Sequence, residues 1–239
     1  MFGYFATGAF VGFLAGLLGI GGGMTLVPVL AAMFTAQQFA PGHTVYLALG
    51  TGMASIMFTS SASVRAHHRL GGIDWSLVRR VGPAMVVGTL LSTTLSGWVP
   101  QRALALAFAV VCSDRRADRH RRRAGVAGLV SAGGSFMTVP FMLFCGVAMT
   151  TAIGTGAALG VPVAAVGTLG YMFSGWQVAD LPPGALGFVH GPALLGIVAG
   201  SVITAPMGAR AAHRMPVKML RIFAALLFAL PANVLWTYV

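Results

Sequence analysis

No Asp, Glu, Lys or Arg occurs before Arg65, and none occurs between Arg123 and Asp180. Stretches of about 18 or more uncharged, mostly apolar residues read as bilayer spans, because the hydrocarbon core takes about 20 helical residues to cross. Over the whole chain only 8% of residues are charged, against about 25% in a soluble domain. That is too few to clothe a globule of 239 residues in water. The sequence therefore predicts an all-α, polytopic transmembrane protein. An outer-membrane barrel would alternate apolar and polar residues, which this chain does not. A cleavable signal peptide is not expected, since the first apolar stretch lacks a basic start and runs on too long.

Charges and turn residues cut the chain into segments. Phe2 to Ile20, Met24 to Ala36 and Thr44 to Val64 come first, divided by Gly21-Gly22-Gly23 and by Gln37-Gln38 with Pro41-Gly42. Val81 to Trp98, the short Ala103 to Ser113, Ala124 to Gly146, Thr150 to Phe173, Ala185 to Ala209 and Ile222 to Val239 follow. About seven to eight of these are expected to act as helical segments. Cys112 and Cys145 stand alone, so neither a disulfide framework nor a redox motif is predicted.

The chain repeats itself. Ala15-Gly16-Leu17-Leu18-Gly19-Ile20-Gly21-Gly22-Gly23 leads to Val27-Pro28, and Ala127-Gly128-Leu129-Val130-Ser131-Ala132-Gly133-Gly134-Ser135 leads to Val139-Pro140. Leu49-Gly50-Thr51-Gly52 is echoed by Ile153-Gly154-Thr155-Gly156, and Gly82-Pro83-Ala84 by Gly191-Pro192-Ala193. Two homologous repeats with Gly-broken helices are expected: a first over 1–113, a basic connection over 114–123 and a second over 124–239. Paired halves in a membrane chain are the usual mark of a secondary transporter.

These residues resemble the sulfite exporter TauE/SafE family of membrane permeases. The likeness rests on the glycine-rich stretch with Val27-Pro28, on Ala48-Leu49-Gly50-Thr51-Gly52 running into Ser63-Val64-Arg65-Ala66-His67-His68, and on Asp74-Trp75. It implies a permease for small anions such as sulfite, sulfonates or related organosulfur compounds in the cell inner membrane, and the two halves point to alternating access between them. Two departures stand out. Ser131, Ala132 and Ser135 replace Gly19, Ile20 and Gly23 in the second stretch, and the run Cys112 to Arg123 interrupts what the family would carry as a full apolar span. A frameshift or truncation there is one account, and a non-transporting scaffold or defunct remnant of such a permease is the alternative function.

The candidate substrate-binding residues are Gly21, Gly22, Gly23, Thr25, Gly50, Thr51, Gly133, Gly134, Ser135, Gly154 and Thr155. Consecutive glycines break a helix and expose backbone N–H groups at a positive half-helix end, which can hold an anion without a formal cation. Close helix packing through small residues, as at Gly12/Gly16 and Gly196/Gly200, accounts for the same glycines equally well. The two threonines offer hydroxyls beside glycines that let a ligand approach, or they bond back to their own helix.

A cation site would need intramembrane carboxylates, and none lies in a predicted span. Catalysis by Glu is impossible, since all four acidic residues are Asp. The protein is expected to be no enzyme, with no metal and no cofactor. Membrane lipid and a small anionic substrate are the expected partners, with a coupling proton at His190 as a further candidate. The net charge of +11 reads as cytoplasmic loops beside anionic lipid rather than a nucleic-acid surface. Arg65, Arg69, Arg79, Arg80, Arg210 and Arg214 are read as interfacial anchors, and so are His67 and His68.

Overall fold

A computed structural model of the chain describes residues 2–19, 22–39, 43–95, 139, 142–143, 146–178, 181–216 and 219–220. The expected segments Ala103 to Ser113 and Ile222 to Val239, most of Ala124 to Gly146 and the basic connection 114–123 lie outside the described residues. So do Gly21, Gly133, Gly134 and Ser135 among the candidate site residues.

Six helices and one small hairpin are described: α1 Phe2–Leu18, α2 Gly23–Ala36, α3 Thr44–Arg69, α4 Trp75–Leu95, α5 Met149–Ser174, β1 Ala185–Leu186, β2 Val189–His190 and α6 Gly191–Arg214. Among the described residues, α3, α5 and α6 are long and apolar enough to cross a membrane. Their outward surfaces carry apolar side chains, such as Phe173 at 75% and Leu195 at 68% exposure, which suit lipid rather than water. With 17 and 14 residues, α1 and α2 reach about 25 and 21 Å, less than the bilayer core of about 30 Å.

Small residues set the tightest packing. A Cβ at Gly8 would overlap Ile197, one at Gly12 would meet Ser201, and one at Gly16 would overlap the Ala205 carbonyl. On the facing side, Gly200 and Gly208 admit the carbonyls of Phe5 and Phe13 in the same way. The two helices thus run parallel in constant register, as small-residue spacing allows. Thr204 Oγ1 donates to the Ala9 carbonyl across this seam at 2.7 Å.

Against α3, α5 runs antiparallel: Gly50 lies by Tyr171, Gly167 by Met53, and Gly154 by His67. The short α2 is also antiparallel to α3, with Gly23 opposite Ile56 and Val27 opposite Gly52. One apolar cluster, around Leu17, Leu18, Ile153 and Ala212, fills one end of the bundle. A second, around Tyr4, Leu30, Phe34, Leu47 and Ile197, fills the other.

Three expectations are revised. The fourth segment starts at Trp75 rather than Val81, because Asp74 caps it. Its carboxylate accepts from the Ser76 hydroxyl and from the Ser76 and Leu77 N–H groups. The segment expected from Ala185 opens instead with the hairpin, and its helix begins at Gly191. Gly82-Pro83 and Gly191-Pro192 are not equivalent in place: Pro83 lies inside α4, whereas Pro192 sits in the first turn of α6, where its missing N–H costs nothing.

The cap at Asp74 makes a pH prediction. The Ser76 hydroxyl first, then the Leu77 N–H, hold its carboxyl below its ordinary value of 3.8. A lowered native pKa means the stabilisation is present above the ordinary value and is lost as pH falls through the lowered one. Asp74→Ala is therefore expected to lower the melting temperature at neutral pH, and the gap to the native protein should close on acidification below that carboxyl's pKa.

Candidate functional site

Two matched clasps join α3 and α5 to the segments that lead into α6 and α4. Thr51 Oγ1, on α3, accepts the His190 N–H at 2.9 Å, and the preceding Gly50 leaves room for the Phe188 carbonyl. Thr155 Oγ1, on α5, accepts the Asp74 N–H at 3.0 Å, and the preceding Gly154 leaves room for the Gly72 carbonyl. Each donor residue also caps the helix it opens. Asp74 caps α4, and His190 Nδ1 accepts the Ala193 N–H of α6 at 3.3 Å. Because α3 and α5 are antiparallel, the clasps sit at opposite ends of the bundle.

Both threonines are wholly buried. Each contact uses a lone pair of the threonine oxygen and is independent of any bond its O–H makes back to its own helix. Replacing a buried acceptor leaves the facing N–H unpaired, at a cost of about 1–3 kcal/mol.

The glycine-rich break lies between α1 and α2. Gly22, at φ 74, occupies the left-handed region that admits glycine freely, and it begins α2 without a side-chain cap. A Cβ there would strike Val11 Cγ1, and one at Gly23 would lie 2.7 Å from Ile56 Cδ1. The Thr25 hydroxyl donates to the Gly22 carbonyl at 3.0 Å. Of the candidates, Gly22, Gly23 and Thr25 come together at this break. Gly50 with Thr51 and Gly154 with Thr155 form the two separate clasps.

Sequence reasoning missed a buried polar face on α3. His67 is fully buried, which corrects its assignment to the interface. Its Nε2 lies 3.1 Å from the Gly16 carbonyl and its Nδ1 lies 3.1 Å from His213 Nε2. A carbonyl only accepts, so the assigned tautomer has hydrogen on His67 Nε2, and His213 then donates to His67 Nδ1. His68, by contrast, is exposed and accepts from Trp75 Nε1 at 3.3 Å.

One and two turns before His67 stand Ser63 and Ser60, both 1% exposed and without a hydrogen-bond partner among the described residues. A buried hydroxyl left unpaired costs about 1–3 kcal/mol. Their signal in the sequence was polar residues at helical spacing inside an uncharged stretch. Among the described residues no group of three or more His, Cys or Asp side chains could hold a metal.

All six described arginines lie at the end that holds the Thr155 clasp. Arg65 and Arg69 close α3, Arg79 and Arg80 lie near the start of α4, and Arg210 and Arg214 close α6. The parallel run of α3 and α6, fixed where His67 meets His213, brings the first and last groups together.

Among the described residues, an apolar bundle with a glycine break, buried polar groups between two clasped ends and its charge gathered at one end suits a membrane-embedded protein. The chain belongs to the sulfite exporter TauE/SafE family, whose sequence profile matches residues 4–113 and 124–233. It is 31% identical over 237 residues to a probable membrane transporter protein of Haemophilus influenzae, covering 90% of this chain and 89% of that one. It is 22% identical over 239 residues to the probable membrane transporter protein YdhB of Bacillus subtilis, covering 88% and 90%. A shorter match, 30% over 89 residues, joins it to the probable membrane transporter protein YunE of the same organism, covering 36% of this chain and 33% of that one. No solved structure matches the chain.

Proposed function

We propose that this permease moves small anions such as sulfite, sulfonates or related organosulfur compounds across the inner membrane by alternating access. The observation that carries the mechanism is the pair of clasps. Thr51 with His190 and Thr155 with Asp74 are chemically equivalent and close opposite ends of one antiparallel helix pair. An alternating-access carrier needs two such closures, opened one at a time. The likeness of the clasps, each a Gly-Thr pair against a capping residue, supports reading the chain as two repeats over 1–113 and 124–239.

Anion selectivity finds support in the charge pattern. No Asp, Glu, Lys or Arg lies in α1, α2 or α5, so a permeating ion would meet only backbone and hydroxyl dipoles there. Under the positive-inside rule the arginine-bearing end faces the cytoplasm, where it would also touch anionic lipid. A proton remains the candidate coupling ion, with His190 beside one clasp as its acceptor.

A second reading, a remnant that no longer transports, draws on residues 114–123. This basic run falls between the two matched stretches of the family profile.

Uptake and efflux of labelled sulfite in vesicles holding the purified chain test the proposal. Saturable flux that sulfonates inhibit is the expected result. Absence of flux of any small anion from a correctly inserted protein would sink the permease reading in favour of the remnant.

A further inference from the structure

We propose that Ser60 and Ser63, together with the first turn of α2, form the binding site for a small oxyanion. The inference rests on the permease reading and moves its binding site away from the threonine clasps. Ile56, Ser60, Ser63 and His67 follow one another at helical spacing and share one face of α3. One end of that face packs on Gly23 at the start of α2, through Ile56, and the other reaches the Gly16 carbonyl in the last turn of α1, through His67. The two serines therefore lie between these contacts, in the turns of α3 between the start of α2 and the end of α1.

The direction of α2 decides what they face. It runs antiparallel to α3 and begins at Gly23, opposite Ile56, so its N-terminal end is directed toward the turns of α3 that follow Ile56. Ser60 and Ser63 occupy those turns, about 6 and 10 Å further along the helix axis. A helix N-terminus offers N–H groups and a partial positive charge. Gly22 supplies no side-chain oxygen to occupy them. Two buried hydroxyls without partners complete the donor set, and donors without a carboxylate suit an anion with several acceptor oxygens.

The fold does not require these hydroxyls. Counting from the two clasp threonines, Ala164 and Gly167 of α5 hold the places of Ser60 and Ser63, and both are buried without a polar group. The helix packs at those places with no hydroxyl at all. Among the described residues, this pair of serine donors is found on α3 and has no counterpart at the matching places of α5.

The test is binding of labelled sulfite to the purified full chain, with the flux assay run in parallel. Ser60→Ala/Ser63→Ala is expected to weaken sulfite binding at least tenfold, each single change by part of that. The melting temperature without sulfite should not fall, since no hydrogen bond is removed. Wild-type binding and flux that persist unchanged in the double variant would overturn the site and leave the permease reading standing. Dimethyl sulfone, a neutral analogue, competing as well as sulfite would overturn the anion assignment. A wild-type protein that neither binds nor carries sulfite, sulfate or a sulfonate would overturn both readings together.

Discussion

Gly16→Leu is expected to prevent the chain from accumulating as a folded, monodisperse protein. Gly16 is buried where α1 crosses α6, and a Cβ there would overlap the Ala205 carbonyl and lie 2.9 Å from the Ala209 N atom. These are backbone atoms of a helix and cannot swing aside as a side-chain tip can. Its own carbonyl also receives the His67 Nε2 hydrogen, so displacing α1 breaks that bond as well. Overpacking of a rigid site costs about 1–3 kcal/mol even for small additions, and leucine adds far more volume than a methyl. Against a total stability of about 5–15 kcal/mol, the sum of these losses is large. Size-exclusion profiles and thermal melts in detergent would read it. Gly71→Ala is the contrast: nothing lies within 4 Å of a Cβ there, and only its φ of 68 disfavours a side chain. That variant should fold with a loss of about 1–2 kcal/mol.

The difference between these glycines shows what could be read in advance. Long uncharged stretches fix membrane helices because burial in lipid leaves no other choice, and so the spans at Thr44–Arg69 and Met149–Ser174 were legible to within a few residues. The Gly50-Thr51 and Gly154-Thr155 echoes were legible as a pair. Their partners, Asp74 and His190, were not, because a backbone N–H carries no sequence signature and the contact spans more than 80 residues.

His67 illustrates the same limit. Beside Arg65, His68 and Arg69 it reads as one more interfacial residue, and only the helix face separates it from them. Its ring turns inward to Gly16 and His213 while its neighbours turn out. Serine in an apolar helix is common, so the helical spacing of Ser60 and Ser63 does not by itself mark them. Their distinction lies in being unpaired, which is a property of the packing.

Thr155→Val and Thr51→Val should act in opposite directions on the two ends of the protein. Valine keeps the shape of threonine and removes the acceptor, so each change leaves one N–H, that of Asp74 or of His190, without its partner. The cost of about 1–3 kcal/mol falls only on states in which that clasp is closed. On the alternating-access reading it shifts the balance toward opening at that end by about 5- to 150-fold. Ala152 and Ala48 are fully buried near the Thr155 and Thr51 ends respectively, and they provide places for reporter cysteines once Cys112 and Cys145 are replaced. Thr155→Val should raise maleimide labelling of Ala152→Cys and spare Ala48→Cys, and Thr51→Val should do the reverse. With both threonines replaced neither end closes firmly, and sulfite flux should fall at least tenfold while the protein remains folded. Full flux in the double variant would remove the clasps from the transport cycle and leave them as helix-docking contacts alone.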